Sequence, residues 1–185
     1  MPVKLSERND NKMISQKMQD AINLQITKEF YSSYLYLSMA AYLEEQSLTG
    51  FAKWMRVQAQ EEHAHALIFF NHLLDRDGQV KLGALDAPPH EFASPLDVYE
   101  RTLEHEHMIT ASIHALVDLA IEERDHAARN LLAWFVDEQV EEEANDKGII
   151  ARLKQIGGDG NGLFVLNNEL GARVFVVPTP LVGKI

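Results

Sequence analysis

The most informative short motif in this sequence is AQEEHAH at residues 59–65, which places Glu62 and His65 three positions apart. Residues at i and i+3 share one face of a helix, so a carboxylate and an imidazole at this spacing can bind the same cation. Such pairs are also common on solvated helix surfaces. The motif alone is therefore weak evidence for a metal site. The apolar pattern around it shows whether the pair lies on the buried or the exposed side of the helix.

That pattern places the pair on the buried side of a long helix. The second predicted helix begins after a break at residues 47–50 and runs to about Arg76. Apolar residues recur within it at three- and four-residue steps, which is typical of an amphipathic helix. Glu62 and His65 lie on this apolar stripe, whereas a solvated charge pair is expected on the opposite face.

Three further long helices have the same kind of interruption. They are predicted from Ser15 to about Gln46, from Ser94-Pro95 to about Arg124, and from about Asp125 to Ile156. The polar residues that interrupt their apolar stripes near the helix midpoints are Glu29, Glu106, Gln139 and Glu142. Packing of the four helices through their stripes brings these side chains to one level.

The four carboxylates at this level predict a metal centre. Carboxylates in a dry core repel one another or stay protonated unless cations compensate their charge. An oxygen-rich set with a single imidazole favours iron or manganese over copper or a structural zinc. Four carboxylates can hold two divalent ions if one of them bridges the pair.

The connection between the second and third helices is long and irregular. Residues 77–94 contain four glycines and prolines and show no helical stripe. When extended, they reach about 60 Å, which is enough to cross a helix of thirty residues, so the helices on either side can run parallel. The sequence predicts an all-α four-helix bundle with one long crossover between helices two and three.

The ends of the chain are predicted to lie outside the four long helices. Residues 1–14 show no periodicity and are predicted to form an N-terminal arm. A short fifth helix is expected at about Leu163–Leu170, so the bundle domain spans residues 15–171. The β-branched, proline-containing tail at residues 172–185 is expected to be non-helical, and the sequence predicts no fixed structure for it.

Composition excludes several classes of function. The 185-residue chain has the length of one domain, and its formal charge of −11 argues against a nucleic-acid partner. It contains no cysteine, which excludes disulfides, zinc–thiolate sites and iron–sulfur clusters. The polar N-terminal residues and the lack of a long apolar run predict neither a signal peptide nor a transmembrane segment. We expect a cytoplasmic protein with no membrane partner.

Four segments together resemble the non-haem ferritins of bacteria. They are NLQITKEFYSSYLY at 23–36, AQEEHAH at 59–65, EHEHMIT at 104–110 and WFVDEQVEEE at 134–143. The resemblance covers the chain from Ser15 to about Leu170. It implies a ferritin-like bundle that binds Fe(II), oxidises it with O2 or H2O2 and stores Fe(III) mineral inside a hollow homo-oligomer of twenty-four subunits.

The same resemblance implies roles for individual residues. One iron would be held by Glu29, Glu62 and His65, with Glu62 bridging to a second iron. The second iron would be held by Glu106 and Glu142, with Gln139 nearby. Tyr36 would be either a one-electron donor or a core tyrosine hydrogen-bonded to a carboxylate. A possible third iron site would comprise Glu61, Glu138, Glu141 and Glu142.

Two departures from related patterns refine this expectation. A symmetrical di-iron centre has Glu-x-x-His on two helices, but the fourth helix here has Gln139-x-x-Glu142, so the second iron should be held more loosely. Haem-containing bacterioferritins place a methionine directly after the bridging glutamate. This chain has His63 there, and no haem is predicted.

The remaining histidines and the tryptophans are predicted to play structural or surface roles. Surface positions are expected for His63, His114 and His126, flanking or interface positions for His105 and His107, and core or loop packing for His72, Trp54 and Trp134.

Two other functions remain open at this stage. A di-iron oxygenase or peroxidase would have the same centre in a small oligomer with a substrate pocket. A miniature ferritin that coats DNA would build its iron site from two subunits. The complete ligand set in one chain and the acidic balance disfavour the DNA-coating alternative.

Overall fold

The computed structural model describes residues 13–184 and is an all-α bundle, which confirms the predicted fold class. Its helices are α1 Gln16–Glu45, α2 Thr49–Leu74, α3 Pro95–Glu122, α4 His126–Ile156 and α5 Gly160–Leu170, followed by a short 3-10 turn at Thr179–Leu181. No strand occurs within the described residues. All but two residues of the predicted N-terminal arm, residues 1–14, lie outside them.

Side-chain caps fix where three of the long helices begin. Ser15 accepts a hydrogen bond from the backbone N–H of Met18 at 3.1 Å, at the start of α1. Ser94 caps α3 in the same way, and the Asp125 carboxylate caps α4. These caps satisfy backbone donors that have no partner inside the helix.

Left-handed residues mark where α2 and α3 have ended. Asp77 has a φ of 56° and Arg124 a φ of 54°. The residues just before them form turns, so α2 ends at Leu74 and α3 at Glu122, about two residues earlier than predicted. Apolar periodicity cannot detect this change, because the turn residues continue the apolar and polar spacing of the helix.

The long crossover runs along α1, whose side chains satisfy its backbone. Gln19 Oε1 accepts from the Gln79 N–H at 3.0 Å, and Asn23 Nδ2 donates to the Gln79 carbonyl at 2.9 Å. Further along, the Ser38 hydroxyl donates to the Pro89 carbonyl at 2.6 Å. The crossover therefore returns the chain to the end where α2 began, and α2 and α3 run parallel, which the length of the connection allows.

The C-terminal part differs from the prediction in two ways. Helix α5 begins at Gly160 rather than at about Leu163, because the Asp159 carboxylate accepts from the backbone N–H groups of Asn161 and Gly162. The tail was expected to have no fixed structure, but it packs along the bundle and buries Leu181 to 1% exposure. Its order comes from tertiary contacts, which have no helical period for the sequence to reveal.

Two apolar clusters fill the two ends of the bundle. The first contains Tyr36, Phe51, Trp54 and Tyr99, and the second contains Ile22, Phe69 and Phe135. On each of the four long helices, buried polar residues separate the residues of the first cluster from those of the second. A polar layer thus crosses the middle of the core, at the level where the candidate ligands lie.

Candidate metal centre

The polar layer contains the six predicted ligand positions, and all six side chains are buried. They are Glu29, Glu62, His65, Glu106, Gln139 and Glu142. Each long helix contributes at least one of them. Because ionised groups are expensive to bury without compensation, a layer of this composition has to hold protons, cations or both.

One side of the layer brings three ligand atoms together. A nitrogen of His65 and one oxygen each of Glu29 and Glu62 all lie within 4.8 Å of one another. His65 Nδ1 lies 3.5 Å from Glu62 Oε2, and Glu29 Oε1 accepts from Gln25 Nε2 at 2.8 Å. Glu29 Oε2 and His65 Nε2 are buried and have no hydrogen-bond partner among residues 13–184. The chemistry of this group fits a divalent cation.

The ligand atoms on the other side of the layer are hydrogen-bonded to neighbours. Glu106 accepts from the Tyr36 hydroxyl through Oε1 and from Gln139 Nε2, at 3.1 Å, through Oε2. Glu142 Oε2 accepts from Gln58 Nε2 at 2.7 Å. Gln58 Nε2 also donates to Glu62 Oε1 at 3.2 Å, so this one amide links the two sides.

Burial dominates the electrostatics of the centre. It raises the pKa of Glu29, Glu62 and Glu142 well above the ordinary value, and neighbouring carboxylates raise it further. Burial also raises the pKa of Glu106, although hydrogen bonds from Tyr36 and the Gln139 amide act in the opposite direction. The metal-free centre therefore retains protons, which a divalent cation would displace.

Glu142, the fourth residue of the possible third site, belongs to this layer, whereas the other three lie beside it and are less buried. Glu61 and Glu138 are partly exposed and Glu141 is exposed. Glu138 Oε1 lies 3.8 Å from His65 Nε2. Glu61 forms an ion pair with Arg173, a residue of the tail. Acidic residues therefore do gather here, but the guanidinium of Arg173 already neutralises one of them.

Comparison with known proteins identifies the family. The model of the Ferritin-like domain family matches residues 19–156. A bacterial non-heme ferritin from Bacteroides fragilis is 44% identical over 161 residues, which cover 87% of this chain and all of that protein. A probable bacterial non-heme ferritin-like protein from Haemophilus influenzae is 41% identical over 86% of this chain and 96% of its own length.

The chain belongs to the ferritin family. Solved structures of the Archaeoglobus fulgidus ferritin agree with this assignment. A form engineered to be closed has a TM-score of 0.87 and 49% identity, and it covers 88% of this chain and 99% of its own. The open-pore ferritin of the same archaeon has a TM-score of 0.86 and 49% identity, covering 87% of this chain and 99% of its own. In the described residues of this ferritin-family chain, no helix has the length and apolar character needed to cross a membrane.

The histidines outside the candidate ligand set occupy varied environments. His63, His107, His114 and His126 are exposed, and His72 is partly buried. His105 flanks Glu106 as predicted, but it is buried inside the bundle rather than at an interface and lies 2.7 Å from the Ser32 hydroxyl. Burial lowers the pKa of His105 to about 4, so this imidazole is neutral at physiological pH.

The two tryptophans pack against different neighbours, and only Trp134 contacts a candidate ligand. Trp54 is buried and packs against Tyr99, with ring centroids 5.3 Å apart. Trp134 is partly buried and contacts the His65 ring edge-on at 5.6 Å. Both positions agree with the packing roles predicted for them.

Sequence reasoning missed four residues around the centre. They are Gln25, Gln58, Asp146 and Arg173. Gln58 and Asp146 lie on the apolar stripes of α2 and α4, and a polar residue on such a stripe was the signal that could have identified them. No comparable signal exists for Arg173, because its position depends on how the tail packs.

Proposed function

We propose that this ferritin-family chain stores iron and oxidises it at an intrasubunit di-iron centre. The observation that carries the proposal is the convergence of the Glu29, Glu62 and His65 ligand atoms within 4.8 Å at the middle of a ferritin-like bundle. The two buried atoms without partners, Glu29 Oε2 and His65 Nε2, support the same conclusion. Fe(II) is the substrate here rather than a resident cofactor, and no haem is proposed.

In this proposal the two sides of the polar layer bind one Fe(II) each. The first ion binds Glu29, Glu62 and His65. The second binds Glu106 and Glu142 near Gln139, and Glu62 bridges the pair. Each Fe(II) loses one electron, and O2 accepts two electrons and two protons to give H2O2. With H2O2 as oxidant, two electrons and two protons give two water molecules instead.

The buried centre orients both ions toward one oxidant and limits the access of water. The Fe(III) product then moves to a mineral inside a hollow homo-oligomer of twenty-four subunits, located in the cytoplasm. The similarity to ferritins of known structure supports this assembly. The same proposal includes a third iron at Glu61, Glu138, Glu141 and Glu142.

Paired histidine variants test the site. His65→Ala is expected to abolish rapid Fe(II) oxidation, measured as the initial rise of Fe(III) absorbance after mixing with O2. His63→Ala removes an exposed imidazole two positions away and serves as the matched control. An unchanged initial rate in His65→Ala would rule out the assigned site.

Two structural measurements complete the test. Crystals soaked anaerobically in Fe(II) are expected to show two anomalous peaks per subunit among the proposed ligands. Size-exclusion chromatography should give an assembly near 500 kDa, twenty-four times the 20.9 kDa chain. A small oligomer would instead support a di-iron oxygenase or peroxidase without storage.

A further inference from the structure

The tail residue Arg173 contacts one face of α2 beside the metal centre. Its guanidinium donates to Gln58 Oε1 at 2.6 Å, forms an ion pair with Glu61 and lies 4.3 Å from the centre of the Trp54 ring. Trp54, Gln58 and Glu61 are spaced by four and three residues, so they share one helix face. The contact is therefore three-sided and geometrically specific.

Among the arginine ion pairs of the described residues, the Arg173–Glu61 pair is better protected from water than all but Arg76–Asp125, whose side chains are 14% and 8% exposed. The Arg173 and Glu61 side chains are 21% and 16% exposed. By comparison, Arg152 and Glu169 are 41% and 57% exposed in their pair. Exposed pairs contribute little because solvent screens them, whereas a shielded, hydrogen-bonded pair keeps more of its attraction.

Arg173 also fixes the orientation of the Gln58 amide. An arginine has only donors, so the Gln58 atom that faces it has to be the oxygen. The amide nitrogen then faces the centre, where it donates to Glu62 Oε1 and Glu142 Oε2. If Gln58 turned over, its oxygen would face two carboxylates and its nitrogen would face a guanidinium. The tail residue thus controls which group of Gln58 the candidate ligands meet.

The charge of Arg173 lies in an otherwise acidic cluster, which we call the outer cluster and define as Glu61, Glu138 and Glu141. Burial raises the pKa of Glu61, the charge of Arg173 lowers it, and the carboxylates of Glu138 and Glu141 raise it further. A cation entering beside Glu61 has to compete with the guanidinium for the same oxygens.

The remainder of the tail keeps Arg173 in place. Before it, Lys53 Nζ donates to the Gly171 carbonyl at 2.8 Å. After it, Phe175 and Val177 pack on the core, and Leu181 is 1% exposed. Lys184 Nζ then lies 2.9 Å from Asp75 Oδ2. These contacts anchor the tail, so the guanidinium has a high effective concentration beside Glu61.

We propose that Arg173 is a tethered cation that fills the outer cluster, so that the C-terminal tail sets how tightly a divalent ion binds beside Glu61. This rests on the metal binding proposed above. Arg173 is a positioning residue, since it acts on the candidate ligands Glu62 and Glu142 only through Gln58. A metal ion at the outer cluster and Arg173 on Glu61 exclude each other.

Calorimetric titration of the metal-free assembly with Zn(II), which is redox-inert, tests the competition. Arg173→Gln is expected to bind the outer ion at least tenfold more tightly than the parent, while the number of inner ions stays at two per subunit. Zn(II)-soaked crystals of the variant should show an anomalous peak beside Glu61. Arg152→Gln removes an exposed guanidinium and should titrate like the parent.

Two more variants separate charge from packing. Arg173→Lys keeps the positive charge but lacks the planar guanidinium that contacts Gln58 and Glu61 together. Because the charge remains, this variant should bind the outer ion as weakly as the parent does. Leu181→Ser leaves Arg173 intact but loosens the tail, so the outer ion should tighten by less than in Arg173→Gln. Leu181→Ser also keeps the test available if Arg173→Gln does not fold.

The outcomes distinguish this proposal from the proposed function. If folded Arg173→Gln or folded Leu181→Ser binds the outer ion with an affinity within threefold of the parent, the tethered-cation proposal is wrong. The proposed di-iron centre is not affected by that result. Equal tightening in Arg173→Lys also overturns the tethered-cation proposal, because the effect would then not depend on charge. A parent that binds no inner Zn(II) overturns the proposed function itself.

Discussion

The two sides of the metal centre lie in the same polar layer, but their ligand atoms have different partners. On the first side, Glu29 Oε2 and His65 Nε2 are buried and have no hydrogen-bond partner within the described residues. On the second side, Glu106 accepts hydrogen bonds from Tyr36 and the Gln139 amide, and Glu142 accepts one from a glutamine. A cation can bind these two atoms of the first side without displacing a protein donor, whereas both Glu106 oxygens on the second side already accept hydrogen bonds.

This difference gives a physical basis for ordered binding. Buried polar atoms without partners are costly, so a cation that satisfies them gains free energy that the empty centre lacks. Ligand atoms that are already hydrogen-bonded gain less. We therefore expect the Glu29 side to fill first and the Glu106 side to hold its ion more loosely, as the Gln139-x-x-Glu142 sequence also predicts.

The largest effect is expected from the residue that serves both sides. Glu62→Gln removes the charge of the proposed bridging ligand and should weaken both ions. The loss should exceed the roughly 10–100-fold that removal of a group supporting a ligand costs. Zn(II) titration of the metal-free protein measures it, with Glu45→Gln, an exposed glutamate at the end of α1, as the control. A Glu62→Gln variant that still binds two ions tightly would rule out a bridging role.

The next variants test the order of filling directly. Glu29→Gln is expected to remove the first binding event and, with it, the second. Glu106→Gln should remove only the second event and leave the first within about threefold, because a charge one site away acts more weakly than a ligand. Sequential Zn(II) titration distinguishes the two patterns. Equal losses in both variants would show that the sides fill together.

Much of the fold and of the candidate centre could be predicted from sequence, because both depend on local periodicity. Glu29 and Glu106 interrupt apolar stripes, and such interruptions are visible without any tertiary information. The partners of these residues are less visible. Whether Gln58 faces Glu62 with its nitrogen or its oxygen depends on Arg173, more than one hundred residues away in the chain.

The same limit explains the tail. Residues 172–185 have no helical period, yet Leu181 is buried and Phe175 is packed on the core. Burial of alternate residues against a surface made by other helices depends on the shape of that surface. Sequence patterns specify which face of an element is apolar, but they do not specify where a non-periodic segment docks.

A smaller effect is expected from Tyr36→Phe, which removes one donor from the second side. The hydroxyl supports Glu106, and burial raises the Tyr36 pKa well above its ordinary value, so the phenol stays protonated and donates. The second ion should weaken by about tenfold at most, and the first should be unaffected. Zn(II) titration measures this role in binding. A variant with normal Zn(II) binding but slower Fe(II) oxidation would favour the one-electron donor role instead.

The smallest effect concerns Asp146, a buried acid whose two oxygens have no hydrogen-bond partner in the described part of the chain. Burial, reinforced by the Glu106 charge, raises its pKa from 3.8 to about 8. The folded protein therefore binds this proton more tightly than the unfolded chain does. The resulting stability is complete below pH 3.8 and is lost progressively as the pH rises to about 8.

Asp146→Asn replaces the acid with a neutral side chain of the same size and removes this dependence. The melting temperature of the metal-free variant should exceed that of the parent by more at pH 8 than at pH 5. A difference of 1 kcal/mol in the free energy of unfolding corresponds to a shift of roughly 2–4 °C in the melting temperature of a domain of this size. Asp118→Asn, on the surface of α3, is the control. If the difference in melting temperature between Asp146→Asn and the parent is the same at both pH values, Asp146 is already ionised at pH 5. The second side then carries one more negative charge than its burial implies.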